Sequence, residues 1–245
     1  MIGPLGLGER LLALGMVVVE YETDWSVLRG LRDEEERPPP EPNVVGSWML
    51  AAPRAEIVGR GYFGVIGGTA SGSVPRVVDL VASLPEVDAS RIAIAGSSTY
   101  GFVALEAMRV EPRLAAGVVR VACGDYHAFL RSSSLALADD PKWLPGGELV
   151  LDPAYDATLT AREPYRHADA YPPRPLLLLN GANDPAIPIA CAERTAAAMQ
   201  QAYLAAGVAE RFRFQLYPDA GHDLGPDAQE VVLGWWKRWL LAPDR

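Results

Sequence analysis

The chain has 245 residues, is 49% hydrophobic and 22% charged, and carries a formal net charge of -9. That length is enough for a single domain with a substantial core, and an acidic balance without a clustered Lys/Arg stripe argues against a nucleic-acid partner. No apolar stretch approaches the ~20 residues needed to span a bilayer, so no membrane partner is expected.

The first apolar stretch, residues 11–19, is not expected to be a signal-peptide core, because Glu9 stands beside Arg10 at its flank and Gly15 breaks it. A short helix over residues 8–13 and a strand over 16–21 fit better, and the cytoplasm is the expected compartment. Residues 33–41, DEEERPPPE, read as a solvated loop. Residues 64–73 are glycine-rich but lack both the lysine and the glycine spacing of a nucleotide cradle.

From residue 75 onward, apolar runs of strand length alternate with helical patterns, as in a parallel sheet covered on both faces by crossover helices. Helices are predicted over residues 75–84, 98–109, 189–206 and 228–241, the first opening on a proline in its first turn. The last carries Val231, Val232, Trp235, Trp236 and Trp239, a stripe suited to packing on the sheet. Strands are predicted over residues 91–95, 117–123, 175–180 and 211–217. The strands over 91–95, 117–123 and 175–180 read as buried. The run over 211–217 alternates polar and apolar residues and belongs nearer a sheet edge.

Residues 124–174 form a long irregular insertion in this otherwise single 1–245 domain, and such insertions are often functional. Its aromatic residues, among them Tyr126, Phe129, Trp143, Tyr155 and Tyr165, either line a pocket or hold the excursion to the body. Cys123 and Cys191 show no metal-ligand spacing and no disulfide framework, so both are expected as buried thiols. No metal and no cofactor is expected.

Three places carry the candidate chemistry. In RIAIAGSSTYG, residues 91–101, a strand must turn within about three residues into a helix, which raises Ser98 above the sheet beside the helix's first amides. Gly96 allows the close approach; a run of Ser97, Ser98 and Thr99 also suits a simple helix cap. Asp184 follows the LLLLN strand on the carboxyl side of the sheet, where open α/β sheets bind ligands, although Asp before proline is also a common turn residue. Of three histidines, His222 alone follows a predicted final strand through a glycine-containing turn, and histidine suits a general base near neutral pH. His127 and His167 fall in the insertion as surface or supporting residues.

These phrases resemble the alpha/beta-hydrolase superfamily, in particular its dienelactone-hydrolase and prolyl-oligopeptidase-like branch. PEVDASRIAIAGSSTYG, residues 85–101, is similar to the phrase P-E-V-D-x-x-R-I-x-I-x-G-x-S-x-G-G, with Tyr100 where the family usually has glycine. LLLLNGANDPAIP resembles the acid-bearing phrase and LYPDAGHDL the histidine-bearing one. The resemblance implies Ser98 as nucleophile, Asp184 as acid and His222 as base, in the family's chain order. Asp125 is a fallback acid. The Thr99 amide and Leu5 are implied as the oxyanion hole, and Tyr100, Tyr126 and Trp143 as the substrate pocket.

The implied fold is a mostly parallel, doubly wound α/β sheet of alpha/beta-hydrolase type. The opening MIGPLGLGERLLALGMVVVEY resembles the region from the oxyanion loop onward, so the family's N-terminal strands are missing. Closing of the two neighbouring strands, a strand from a partner copy in a homo-oligomer, or a natural start further upstream would each relieve the unpaired ladder groups. The implied function is a serine hydrolase cleaving a carboxylic ester, with peptide and lactone as alternatives, through an acyl-enzyme. The competing reading is a catalytically inactive hydrolase-like binding or assembly protein, motivated by Tyr100 and the missing strands; a thiol hydrolase on Cys123 ranks third.

Overall fold

The structure, a computed structural model, describes residues 7–20, 62–134, 151 and 153–241. Leu5, Trp143 and the acidic proline loop at 33–41 lie outside these residues. Helix α1 (Gly8–Leu12) is short, as its spacing predicts. Helix α2 (Tyr62–Gly68) runs through a wide turn over Thr69–Ser73 into α3 (Val74–Ala82). The glycine-rich stretch is therefore helical, and Gly67 has a local reason: a Cβ there would lie 2.0 Å from Nη2 of Arg162.

Strand β1 (Ala93–Ser97) leads into α4 (Thr99–Val110), and β2 (Ala116–Arg120) follows. The phrase before β1 is structural. Asp88 accepts hydrogen bonds from the amide and hydroxyl of Ser90 and pairs with Arg91 at 2.7 Å, while Arg91 also donates to the Leu240 carbonyl. The turn that aims β1 is thus set by the residues that make the phrase recognisable.

The insertion is not irregular where it is described. It contains α5 (Tyr126–Ser132), α6 (Pro153–Arg162) and a 3-10 segment over Pro164–Ala170. Asp125 starts α5 by accepting the Ala128 amide, an N-cap whose effect is local. The tie to the body is tertiary: Glu106 of α4, 3% exposed, accepts two hydrogen bonds from Arg162 and one from the Tyr126 hydroxyl. A buried carboxylate needs such partners, and no pattern in the insertion alone reveals them.

Next come β3 (Leu176–Gly181), α7 (Ile189–Ala205), β4 (Phe212–Tyr217) and α8 (Gly225–Trp236), whose axis continues through a wide turn to Leu241. The sheet is parallel throughout, in the order β1-β2-β3-β4. Each residue of β3 is buried, as its leucine run requires, and β4 forms one edge, as its alternation predicts. Val232, Trp235, Trp236 and Trp239 are buried in the core.

Three expectations are corrected. Residues 16–20 form no strand: Val17 and Val19 are 48% and 46% exposed, and no ladder among the described residues holds them. The expected β1 as a buried strand fails for the same reason. Among the described residues nothing pairs with its outer edge, Ala95 is exposed, and an apolar groove of about 390 Å³ separates it from residues 16–20. Finally, Cys123 and Cys191 are a disulfide, not thiols, with Cα atoms 5.7 Å apart, within the span such a bridge needs. The bridge removes Cys123 as a nucleophile. No helix among the described residues is long and apolar enough to cross a membrane.

Candidate active site

Ser98 occupies the junction of β1 and α4 with φ 57° and ψ −123°, a conformation that a residue with a side chain adopts only where its surroundings enforce it. The surroundings do. Its amide donates to the Arg120 carbonyl, and its carbonyl accepts from the amides of Gly101 and Phe102. Two glycines permit the turn: a Cβ on Gly96 would lie 1.9 Å from the Tyr100 carbonyl oxygen, and one on Gly101 would lie 2.7 Å from the Arg120 carbonyl oxygen.

Tyr100 therefore crowds the strand through its backbone, which Gly96 accommodates, while its side chain lines the groove beside β1. The capping alternative for Ser98 does not hold, because its hydroxyl makes no bond to the helix amides. That hydroxyl instead lies 3.0 Å from Nε2 of His222. Thr99 is the first residue of α4, so its amide stands at the positive end of the helix.

Asp184 follows β3 and is 4% exposed. Its Oδ1 accepts the amides of Ala186 at 2.8 Å and Ile187 at 3.1 Å, and its Oδ2 lies 2.8 Å from Nδ1 of His222. With Nδ1 donating to this carboxylate, Nε2 is left to accept the Ser98 hydroxyl proton.

The loops bearing Asp184 and His222 are zipped together. The amide of Ala182 donates to the Tyr217 carbonyl and that of Asn183 to the Ala220 carbonyl, and the Asn183 side-chain amide donates to the Pro218 carbonyl. A Cβ on Gly181 would lie 2.1 Å from the Gly221 carbonyl oxygen. Gly181 and Asn183 are thus site residues that sequence reasoning passed over; the only signal for them was their place between the strand and the acid.

Of the residues expected at a pocket, Tyr126 is corrected. It is fully buried, stacks on Phe63 at 4.2 Å between ring centroids, and its hydroxyl, pushed well above the usual tyrosine range by desolvation, is bonded to Glu106. Asp125, the fallback acid, caps α5 and pairs with Arg194 at 2.9 Å instead of meeting a histidine of the site. His127 is held between Glu163 and Asp156, each 2.7 Å away, and the Glu163 hydrogen bond raises its pKa despite partial burial. Arg166 also pairs with Glu163, so guanidinium groups already balance the carboxylates of this cluster. His167 lies nearer the surface, with its Nε2 2.8 Å from the Ala161 carbonyl oxygen.

Ser98, Asp184 and His222 follow β1, β3 and β4 of one parallel sheet. The model of the prolyl oligopeptidase family, Peptidase_S9, matches residues 74–242. The chain belongs to the prolyl oligopeptidase family. No curated protein matches it. Among solved structures, TT1662 from Thermus thermophilus is 27% identical, covering 85% of this chain and 73% of that one, with a TM-score of 0.56.

Two more distant structures share the fold of this prolyl oligopeptidase family chain. A puromycin-hydrolysing peptidase of Mycobacterium tuberculosis is 22% identical, with a TM-score of 0.56; the match covers 71% of this chain but only 26% of that one. Acetyl xylan esterase 1 of Thermoanaerobacterium is 16% identical, covering 72% and 53%, with a TM-score of 0.50. The chain thus spans about a quarter of the length of the peptidase. The alpha/beta-hydrolase fold implied by the sequence is the fold observed.

Proposed function

We propose that this chain is a serine hydrolase that attacks an acyl carbonyl with Ser98, a carboxylic ester being the first substrate class. The observation that carries the reading is the continuous relay from Ser98 Oγ to His222 Nε2 at 3.0 Å and from His222 Nδ1 to Asp184 Oδ2 at 2.8 Å.

In this mechanism His222 Nε2 takes the hydroxyl proton as Ser98 Oγ bonds to the carbonyl carbon. Asp184 keeps the imidazole in the needed tautomer and offsets the charge it gains. The Thr99 amide donates to the developing oxyanion. Collapse expels the alcohol, which takes its proton from His222, and leaves an acyl group on Ser98. Water, deprotonated by His222, then attacks the acyl carbon. As that carbon's bond to Ser98 Oγ breaks, His222 returns the proton to that oxygen and the acid leaves. The family membership supports a peptide bond as the second substrate class. The acetyl xylan esterase shares the fold without deciding between them.

The test is labelling by a fluorophosphonate together with turnover of short p-nitrophenyl esters and acyl-peptide amides. The reading expects labelling and ester turnover, both abolished in Ser98→Ala. A folded protein that neither labels nor turns over any of these substrates would instead favour the inactive binding or assembly protein.

A further inference from the structure

The loop carrying Asp184 is held at both ends. Residues 182 and 183 are zipped to the His222 loop, whereas residues 185 and 186 are tied to the C-terminal end of α5. There the hydroxyl of Ser133, fully buried, donates to the Ala186 carbonyl at 2.5 Å, and the amide of Ser134 donates to the Pro185 carbonyl at 2.8 Å. The Ala186 carbonyl belongs to the same peptide unit as the Ile187 amide, which donates to Asp184 Oδ1 at 3.1 Å, and the Pro185 carbonyl to the same unit as the Ala186 amide, which donates there at 2.8 Å.

We propose that Ser133 is a positioning residue that acts through Ala186 to hold the Asp184 carboxylate on His222. This rests on the reading of Ser98, His222 and Asp184 as the reacting groups. The physical argument is short. Asp184 is oriented by two amides on one oxygen, and a carboxylate turned by a few tens of degrees about its χ2 no longer presents Oδ2 to the imidazole. In the short segment joining β3 to α7, the Ala186 carbonyl and the Ile187 N–H share one planar peptide unit, so the partner of that carbonyl fixes the direction in which the Ile187 amide points. Without the Ser133 hydroxyl the carbonyl is a buried acceptor with no replacement donor from this serine. The peptide then gains by turning toward another partner, and the Ile187 amide that helps to aim Asp184 turns with it. Through this contact the insertion helix α5 takes part in the chemistry without touching the substrate.

The test is a double-mutant cycle on ester hydrolysis, with rates expressed per folded molecule counted from the thermal melt. Ser133→Ala is expected to lower kcat by about tenfold with KM unchanged, since small misplacements of a reacting group carry costs of this order. In an Asp184→Asn background, where there is no carboxylate left to aim, the same change is expected to cost less than about twofold. Ser133→Cys fills the same space with a weaker donor, is expected to lie between the two, and carries the cycle where Ser133→Ala does not fold. Equal losses in both backgrounds mean a merely structural serine and overturn this proposal alone, as does an unchanged kcat. Full activity of Asp184→Asn by itself overturns the underlying reading as well.

Discussion

The hydroxyl of Ser98 and the Nε2 of His222 stand 3.0 Å apart although 124 residues separate them along the chain. Ser98 is presented by the turn from β1 into α4, and His222 by the loop after β4, at opposite sides of a four-stranded parallel sheet. Because all strands point the same way, their carboxyl ends share one rim, and loops from distant strands converge over it. On the proposed mechanism His222→Ala is expected to lower kcat on the order of 10⁴-fold or more, as in Ser-His-Asp hydrolases. The His222 side chain is 41% exposed, so the melting temperature is expected to move by no more than a few degrees. Steady-state kinetics beside a thermal melt checks both halves.

Gly96→Ala is expected to damage fold and activity together. The added Cβ meets a backbone oxygen, which has no rotamer to escape into, so the elbow must open. A loss of about 3 kcal/mol and of about a hundredfold in kcat is expected. Gly234→Ala in α8 is the control: a Cβ there meets nothing within 4 Å, and a gain of up to about 1 kcal/mol is expected from helix propensity. Denaturation midpoints of the two variants should therefore move in opposite directions.

Replacing both Cys123 and Cys191 by alanine releases a crosslink between positions 68 residues apart. Chain-entropy arguments put the loss at about 4 kcal/mol for a loop of that length. Chemical denaturation of the double variant against the oxidised protein measures it. Because both cysteines are fully buried, the folded protein should resist mild reductant and lose the bridge only when unfolding is allowed.

His127 makes stability depend on pH. Its hydrogen bonds to Glu163 and Asp156 raise its pKa in the folded state. The folded state then holds the proton more tightly than the unfolded one, so the stabilisation is fully present below the unfolded value of about 6.5 and fades as pH rises through the raised folded value. Glu163, buried at a desolvation cost, is nevertheless held below its ordinary range by His127 and Arg166, so its contribution is lost only on strong acidification. His127→Gln is expected to lower the melting temperature more at about pH 5.5 than at about pH 9. A parallel drop at both pH values would show that the ring's charge plays no part.

Local pattern settled most of the elements and pointed to the candidate reacting residues. The leucine run of β3, the alternation of β4, the tryptophan stripe of α8 and the strand-turn-helix around Ser98 are all properties of neighbouring residues, and neighbouring residues decide backbone conformation and which face is apolar. Asp184 and His222 were legible because each closely follows a recognisable strand. What stood beside those elements was not. An apolar run at 16–20 carries no sign of whether a partner strand lies next to it, two cysteines 68 residues apart carry no sign of meeting, and Ser133 looks like any other serine in its loop. Those facts depend on packing between segments far apart in sequence, where one buried hydroxyl or one unpaired edge takes its meaning only from the atoms that the fold brings against it.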